Sequence, residues 1–165
     1  MKISIFIRWL SAILFLPINV TIIIPLILFD LNISESNNLE KWLAIFIGLP
    51  GLILSVISAR FFAKKGGGGT PAPWDPINNL IISGPYRYVR NPMLIGVNIV
   101  LFSESLLFKS FPLFIYSCLF FFGNIIYFRT SEEPTLIRRY GSEYRDYLEN
   151  VPRWMPRIKP YYPKK

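Results

Sequence analysis

The chain has 165 residues, a length typical of one domain, and its 52% of hydrophobic residues excludes a disordered chain. Only 17% of the residues are charged, against about 25% in soluble domains, which indicates that a lipid bilayer is the surrounding solvent. The formal charge is +8, and because the chain has no histidine and only one cysteine, Cys118, the sequence excludes a disulfide framework, a Cys/His zinc site and a histidine general base.

Four apolar segments follow one another along the chain, over residues 3–29, 42–63, 93–108 and 111–128. A membrane-spanning helix needs roughly 20 mostly apolar residues, so the first two segments are long enough, the fourth is marginal and the third is short. We therefore expect the third helix to be sheltered by other helices, to line a cavity or to be tilted. The pattern predicts an all-α, polytopic membrane protein with about four transmembrane helices and a C-terminal amphipathic helix in the cytoplasm.

The basic residues predict the orientation of these helices. All of the lysines and arginines except Lys41 and Lys109 lie at the N-terminus, around the connection 64–92, or in the tail after residue 128. The positive-inside rule then places both termini and the connection in the cytoplasm. Basic residues mixed with aromatic ones are also typical of nucleic-acid binding, but four apolar segments favour the membrane, so no nucleic-acid partner is predicted.

The connection begins with four glycines, residues 66–69, followed by a proline-rich stretch. Because prolines cannot continue a helix, the second helix is predicted to end near Lys65. A glycine-rich loop can cradle a phosphate, but no Gly-Lys-Ser/Thr follows it, which excludes a P-loop and favours a hinge.

The connection ends in Arg90-Asn91-Pro92, with Gly96 one turn into the third helix. Pro92 suits the first turn of that helix, with Asn91 as its N-cap. Arg90 and Asn91 at a helix N-terminus could bind a carboxylate or a phosphate, and Gly96 leaves room for a ligand or another backbone. The alternative is a membrane anchor, a cap and a packing glycine, and the residues themselves leave both interpretations open.

Two adjacent carboxylates, Glu132 and Glu133, follow the fourth segment. They could bind an ammonium group or accept its proton. The alternative is a capping box, with Thr130 as the N-cap and Glu133 three residues on. Glu104 is a further candidate because it is an acid within an apolar segment, although its place near the outer end of the helix favours a solvated side chain.

After residue 134, apolar and aromatic residues recur at three- and four-residue spacing as far as Val151, which predicts an amphipathic helix. Its tyrosines, Tyr140 and Tyr144 among them, could wall an adenine or a sulfonium, because aromatic faces attract cations. The alternative is that they pack on the membrane surface. Trp154, between two arginines, is expected at the headgroup boundary.

The order and spacing of these motifs resemble those of the intramembrane methyltransferase superfamily, which contains isoprenylcysteine carboxyl methyltransferases and phospholipid N-methyltransferases. The shared features are Gly84-Pro85-Tyr86-Arg87-Tyr88-Val89-Arg90-Asn91-Pro92-Met93, a helical hairpin, Glu132-Glu133-Pro134, and Tyr140-Gly141-x-x-Tyr144-x-x-Tyr147-x-x-x-Val151-Pro152-Arg153. The resemblance covers about residues 48–157. Asn91 stands where the carboxyl methyltransferase branch has histidine and is closer to the phospholipid branch, whereas the tail is closer to the isoprenylcysteine branch, so the acceptor stays open.

The resemblance implies S-adenosylmethionine as the methyl donor, bound between the Asn-Pro segment and the Glu-Glu segment under the C-terminal helix. Arg90 and Glu133 would be the catalytic residues, with the Glu pair holding the amino group of the donor and Arg90 holding a carboxylate of the donor or acceptor. No metal is implied. The cofactor-binding residues at matching positions are Tyr88, Arg90, Asn91, Pro92, Gly96, Glu132, Glu133, Tyr140 and Tyr144.

The function predicted in this way is methyl transfer to a carboxylate, thiol or amine of a lipidic or small hydrophobic acceptor at the membrane surface. The loop Gly69-Thr70-Pro71-x-Pro73 is similar to one common in bacterial members, which implies a bacterial inner membrane. The alternatives are an NADPH-dependent membrane reductase, for which no dinucleotide fingerprint is present, and a non-catalytic scaffold or lipid-binding protein. A single domain would comprise two helices in 1–63, a loop in 64–92, a helical hairpin in 93–128 and a cofactor-covering tail in 129–165.

Overall fold

A computed structural model describes residues 14–29, 31, 37–70 and 77–163, with side chains from residue 17 onward. The predictions for residues 3–13 and for the proline-rich stretch 71–76 lie outside these ranges. Regular structure in the described residues is entirely helical, with no strand, which confirms the all-α prediction for this part of the chain.

The described residues form five α-helices: α1 (Ile24–Leu28), α2 (Asn38–Lys65), α3 (Pro92–Leu107), α4 (Phe111–Tyr127) and α5 (Glu133–Asn150). A π-helical segment, Leu14–Ile23, runs directly into α1. A 3₁₀ turn, Gly84–Arg87, precedes α3, and a π-helical turn, Phe128–Glu132, joins α4 to α5.

The helix bounds follow the apolar segments closely. Both α3 and α4 begin and end within one residue of the predicted segments, and α2 ends at Lys65 as predicted. The start of α2 precedes its apolar segment because Asn37 and Glu40 form a capping box, in which the Glu40 amide donates to the Asn37 side chain at 2.9 Å. Two helices of the described residues are long and apolar enough to cross a membrane, namely α2 and the helical stretch Phe111–Asn150, which contains α4 and is kinked at Gly141.

Helix α3 is sheltered by its neighbours, as expected for a short apolar helix. Its Leu101 is fully buried, and the helix packs closely along α2. The closest approach is at two glycines, because a Cβ on Gly96 would collide with the Gly51 carbonyl oxygen and would lie 2.8 Å from the Ser55 amide nitrogen. Direct contact of two helix backbones at small residues is typical of helices packed in a membrane.

A second packed region lies beyond the C-terminal end of α2 and the N-terminal end of α3. We call it the cap, and it comprises residues 77–90, α5 and the segment after α5. From here on, the name tail is used for this last segment alone, residues 151–163. Its centre is a cluster of buried residues that contains Tyr147, Val151 and Tyr161. The cap therefore has a core of its own, formed by segments that are distant in sequence.

The Tyr147→Phe variant is expected to lower the midpoint of thermal unfolding by about 2–8 °C. The buried Tyr147 hydroxyl donates a hydrogen bond to the Tyr86 carbonyl oxygen at 2.7 Å. Losing a buried hydrogen bond costs about 1–2 kcal/mol, and in a chain of this size each kcal/mol shifts the midpoint by about 2–4 °C. Circular dichroism of the detergent-purified chain would measure the change.

Tyr162→Phe is the matched control, because Tyr162 also lies in the cap but is largely exposed. Its midpoint should stay within about 2 °C of the parent value. An equal loss in both variants would show that the Tyr147 hydrogen bond does not stabilise the cap.

Candidate functional site

The paired carboxylates lie within an uninterrupted helix. The chain remains helical from α4 through the π turn into α5, and Glu132 itself has helical dihedral angles, φ −69° and ψ −54°. Thr130 donates its hydroxyl to the Ile126 carbonyl oxygen at 2.8 Å and caps no amide. The alternative of a capping box at Thr130 is therefore wrong, because no helix begins there, and the side chain of Glu133 is available for contacts with other segments.

Glu133 lies at the centre of a buried cluster of three charged side chains, the Arg90–Glu133–Arg153 cluster. Its Oε1 accepts from Arg90 Nη1 at 2.6 Å and from Arg153 Nε at 2.9 Å, and its Oε2 accepts from Arg153 Nη2 at 2.6 Å. The side chains of Arg90 and Glu133 are each only 10% exposed. Charge-assisted contacts of this kind are the strongest hydrogen bonds in proteins, so the cluster joins the start of α3, the start of α5 and the tail.

The tail reaches the cluster by running antiparallel to residues 87–90. Three backbone hydrogen bonds, of 2.9, 2.9 and 3.0 Å, join the two segments: Arg90 N to Pro152 O, Arg157 N to Tyr88 O and Tyr161 N to Arg87 O. These bonds fix the backbone on both sides of Arg153. The guanidinium of Arg153 is thereby held beside that of Arg90, with the Glu133 carboxylate between them.

Tyr144 adds a buried aromatic side chain to the cluster. Helix α5 is interrupted at Gly141, whose φ of 57° and ψ of −127° favour glycine, so the helix changes direction before Tyr144. The Tyr144 hydroxyl lies close to both Arg90 and Glu133. Burial raises the pKa of this hydroxyl to about 12, so at neutral pH it keeps its proton and can donate a hydrogen bond.

Glu132 points away from the cluster, because consecutive helix residues differ in direction by about 100°. Its Oε2 accepts a hydrogen bond from the Tyr127 hydroxyl at 3.2 Å. Burial raises the pKa of Glu132, although the hydrogen bond from Tyr127 and the charge of Arg139 act in the opposite direction. The two adjacent carboxylates therefore occupy different environments.

Two of the predicted binding tyrosines lie elsewhere in the cap. The Tyr140 hydroxyl donates to the Ile77 carbonyl oxygen at 2.8 Å, and Arg139 donates to the same oxygen. Tyr88 is 38% exposed, and its carbonyl oxygen accepts from the tail. The assignment of Tyr88 and Tyr140 to the cofactor stays a prediction.

Helix α3 starts where the sequence predicts, but the predicted side-chain cap is not formed. Asn91 precedes the helix and Pro92 is buried in its first turn, yet the Asn91 side chain makes no capping hydrogen bond. The missing side chain of Gly96 makes room for the α2 backbone at Gly51, which is one of the two uses expected for it. The assignment of Asn91, Pro92 and Gly96 to the cofactor stays a prediction.

Three buried donors at or beside the cluster have no hydrogen-bond partner among the residues that the structure describes: Arg90 Nε, Asn91 Nδ2 and Trp154 Nε1. The Trp154 ring packs against Phe121 of α4 and against Phe128, with ring centroids 5.2 and 6.4 Å apart. Most buried polar groups in proteins are hydrogen-bonded, so unpartnered donors mark a place where a ligand with acceptor atoms would be stabilised.

Two further charged residues have surroundings that the sequence does not indicate. The sequence predicts a headgroup position for the arginines beside Trp154 and gives no indication that Arg153 contacts Glu133. Glu104 is not simply solvated, because its Oε2 is buried and finds no hydrogen-bond partner in the described part of the chain. Within the described residues, no group of three or more His, Cys, Asp and Glu side chains is placed to hold a metal ion.

The family model for phospholipid methyltransferases matches residues 40–143 of the chain, a range that includes Arg90 and Glu133. No curated protein and no solved structure matches the chain significantly. Because the match covers more than half of the sequence, the chain belongs to the phospholipid methyltransferase family, which is membrane-associated. This confirms the superfamily predicted from the motifs.

Proposed function

We propose that this member of the phospholipid methyltransferase family transfers a methyl group from S-adenosylmethionine to a lipidic or small hydrophobic acceptor at the membrane surface. The observation that carries the proposal is the burial of the Glu133 carboxylate between Arg90 and Arg153. Family membership supports methyl transfer to a phospholipid-like substrate. It gives no support to the alternative of a reductase.

The charged groups of the cluster fit those of the donor, which carries an ammonium, a carboxylate and a sulfonium. A carboxylate offers about four acceptor positions, and the arginines occupy three of those of Glu133. One position on its Oε2 is thus left for the ammonium group. The unpartnered Nε of Arg90 and Nδ2 of Asn91 would hold the carboxylate of the donor.

S-adenosylmethionine supplies a methyl group on a positively charged sulfur, which is a good leaving group. The residues of the chain have to align the acceptor and exclude water, and both effects lower the barrier to transfer. The buried Tyr144 and the partly buried Trp154 contribute aromatic surface beside the cluster, and aromatic faces attract cations. Arg90 and Glu133 remain the residues to which we assign catalysis.

An amine acceptor has to lose a proton, and Glu132 is the carboxylate with the better-suited pKa, which would take the proton through a bridging water because its side chain points away from the cluster. Burial raises the pKa of Glu132, and a base is most effective when its pKa lies near the working pH. Glu133, by contrast, has most of its acceptor positions filled by arginines. A carboxylate or thiolate acceptor would need no base.

We place the site at the cytoplasmic boundary of a bacterial inner membrane, in one domain with four spans and both termini in the cytoplasm. The lengths of α2 and of the helix that contains α4 support membrane crossing. The excess of cations in the connection and in the tail supports the orientation. In this arrangement a lipidic acceptor enters from the bilayer and the polar donor from the cytoplasm.

Isothermal titration calorimetry of S-adenosylmethionine into the full chain in lipid nanodiscs is expected to show saturable binding. The Arg90→Gln variant should bind more weakly, because it removes a charged donor of the proposed carboxylate site. A hydrogen bond to a charged group contributes about 1.5–3 kcal/mol, which corresponds to a roughly 10- to 100-fold increase in dissociation constant.

Arg138→Gln is the matched control, because Arg138 is exposed on α5 and donates to Thr135 of the same helix. Its affinity for the donor should equal that of the parent chain. If the folded protein does not bind S-adenosylmethionine at millimolar concentration, the proposal fails, and the reductase or scaffold interpretation is favoured instead. Equal affinity in Arg90→Gln and the parent would instead refute the assignment of the site.

A further inference from the structure

We propose that the tail binds the surface of an anionic bilayer, with Met155 and Ile158 inserted among the lipid headgroups. The proposal depends on the membrane placement given above and is independent of the methyl-transfer chemistry. Four features of the tail carry it: its position, its contact with α4, its exposed apolar side chains and its charge.

The position of the tail follows from its backbone pairing. The amides of Arg157 and Tyr161 donate to the carbonyl oxygens of Tyr88 and Arg87 at 2.9 and 3.0 Å. These acceptors lie only a few residues before Pro92, where α3 begins. The middle of the tail is therefore held at the level of the N-terminal end of the apolar helix α3.

Trp154 shows that the tail also reaches the side of α4. Its ring packs against Phe121, which lies within α4, and against Phe128 just beyond it. Phe128 follows Phe121 by seven positions, which span about 10 Å at 1.5 Å per residue. The indole therefore lies beside the last two turns of an apolar helix, at a depth where a bilayer would meet the tail.

The neighbours of Trp154 have apolar side chains that the other described residues leave uncovered. Met155 is 78% exposed and Ile158 is 96% exposed, and Tyr162 is also exposed. Single exposed apolar residues are ordinary, but here they share one short segment at the level of the helix ends. Their burial among headgroups would remove apolar surface from water without any change in the fold.

The charge of the segment indicates which surface it meets. Residues 151–165 contain no acid and five cations: Arg153, Arg157, Lys159, Lys164 and Lys165. Basic residues next to a membrane are attracted to anionic headgroups within a Debye length. Apolar side chains flanked by cations are the combination that amphipathic membrane anchors use, whereas an apolar protein partner would not require the cations.

The test uses the single native cysteine of the chain. In a Cys118→Ser background, a nitroxide spin label is attached to an Ile158→Cys variant, and its collisions with oxygen and with a water-soluble nickel chelate are measured in nanodiscs. The matched control is a label on Ser142→Cys, an exposed position on α5. Because Ile158 is almost fully exposed, its replacement should not disturb folding, which circular dichroism would check.

In nanodiscs that contain phosphatidylglycerol, the label at 158 should gain oxygen access and lose nickel access relative to the label at 142. In pure phosphatidylcholine, or with Lys159→Glu added, the difference should shrink towards zero. Equal accessibility of the two labels in phosphatidylglycerol would overturn the proposal. Protection from both reagents would overturn it as well, since it would show that protein covers the segment. Donor binding plays no part in this measurement, so its outcome is separate from that of the proposed function.

Discussion

The Glu133→Gln variant is expected to lose about 3 kcal/mol of folding stability and all measurable binding of S-adenosylmethionine. The substitution keeps the shape of the side chain but removes the one negative charge that, among the described residues, contacts Arg90 and Arg153. Two guanidinium groups then face each other in a site where Arg90 is nine-tenths buried. Removing one partner of a buried ion pair costs more than the pair itself contributes, because the remaining charge is left without compensation.

Glu132→Gln is the matched control, because it makes the same chemical change one residue away. Glu132 accepts one hydrogen bond, from Tyr127, so this variant should lose no more than about 1 kcal/mol. Thermal unfolding by circular dichroism and donor binding by calorimetry would be measured for both variants in the same detergent. A Glu133→Gln chain with the parent midpoint would contradict the ion-pair account, and one that still binds the donor would contradict the site.

The helices could be predicted from the sequence because their signals are local. Apolar runs interrupted by glycine and proline mark α3, α4 and the end of α2 to within one or two residues. The start of α2 also has a local signal, since Asn37 and Glu40 stand three residues apart. At Thr130, by contrast, the same local signal is misleading. The capping-box spacing is present, but the apolar helix before it continues and leaves no free amide to cap.

The candidate site could be predicted only in part. Arg90 and Glu133 were identifiable from the motifs, and the structure brings them into direct contact at 2.6 Å. Arg153 could not be assigned to them, because its contact depends on the antiparallel pairing of the tail with residues 87–90. No local pattern encodes that pairing, since its hydrogen bonds are made by backbone groups that every residue carries.

The difference between the two carboxylates has a physical origin that adjacency in sequence conceals. Residues 132 and 133 lie next to each other on one helix, and each residue turns the side-chain direction by about 100°. Glu132 therefore reaches Tyr127 one turn back, while Glu133 reaches the tail. Which of the two would face the arginines depends on the course of the helix through its π turn, and the sequence does not reveal this.

The Gly96→Ala variant is expected to lower the midpoint of thermal unfolding by roughly 5 °C and to weaken donor binding. A Cβ at this position would lie 2.8 Å from the Ser55 amide nitrogen and still closer to the Gly51 carbonyl oxygen. Both are atoms of the α2 backbone, which cannot rotate aside as a side chain can, so the two helices have to separate. Because Gly96 follows Arg90 by less than two helical turns, this separation would also displace Arg90 from Glu133.

Gly123→Ala is the matched control, since Gly123 lies in the apolar helix α4 and a Cβ there would meet no atom of the described residues within 4 Å. Alanine in an open helical position stabilises by about 0.5–1 kcal/mol relative to glycine, so the midpoint of this variant should be unchanged or slightly raised. Joint loss of stability and donor affinity in Gly96→Ala alone would identify Gly96 as the contact that holds α3, and with it Arg90, in place. If the midpoint stays constant while donor affinity falls, Gly96 lines the cofactor site, and the packing account is wrong.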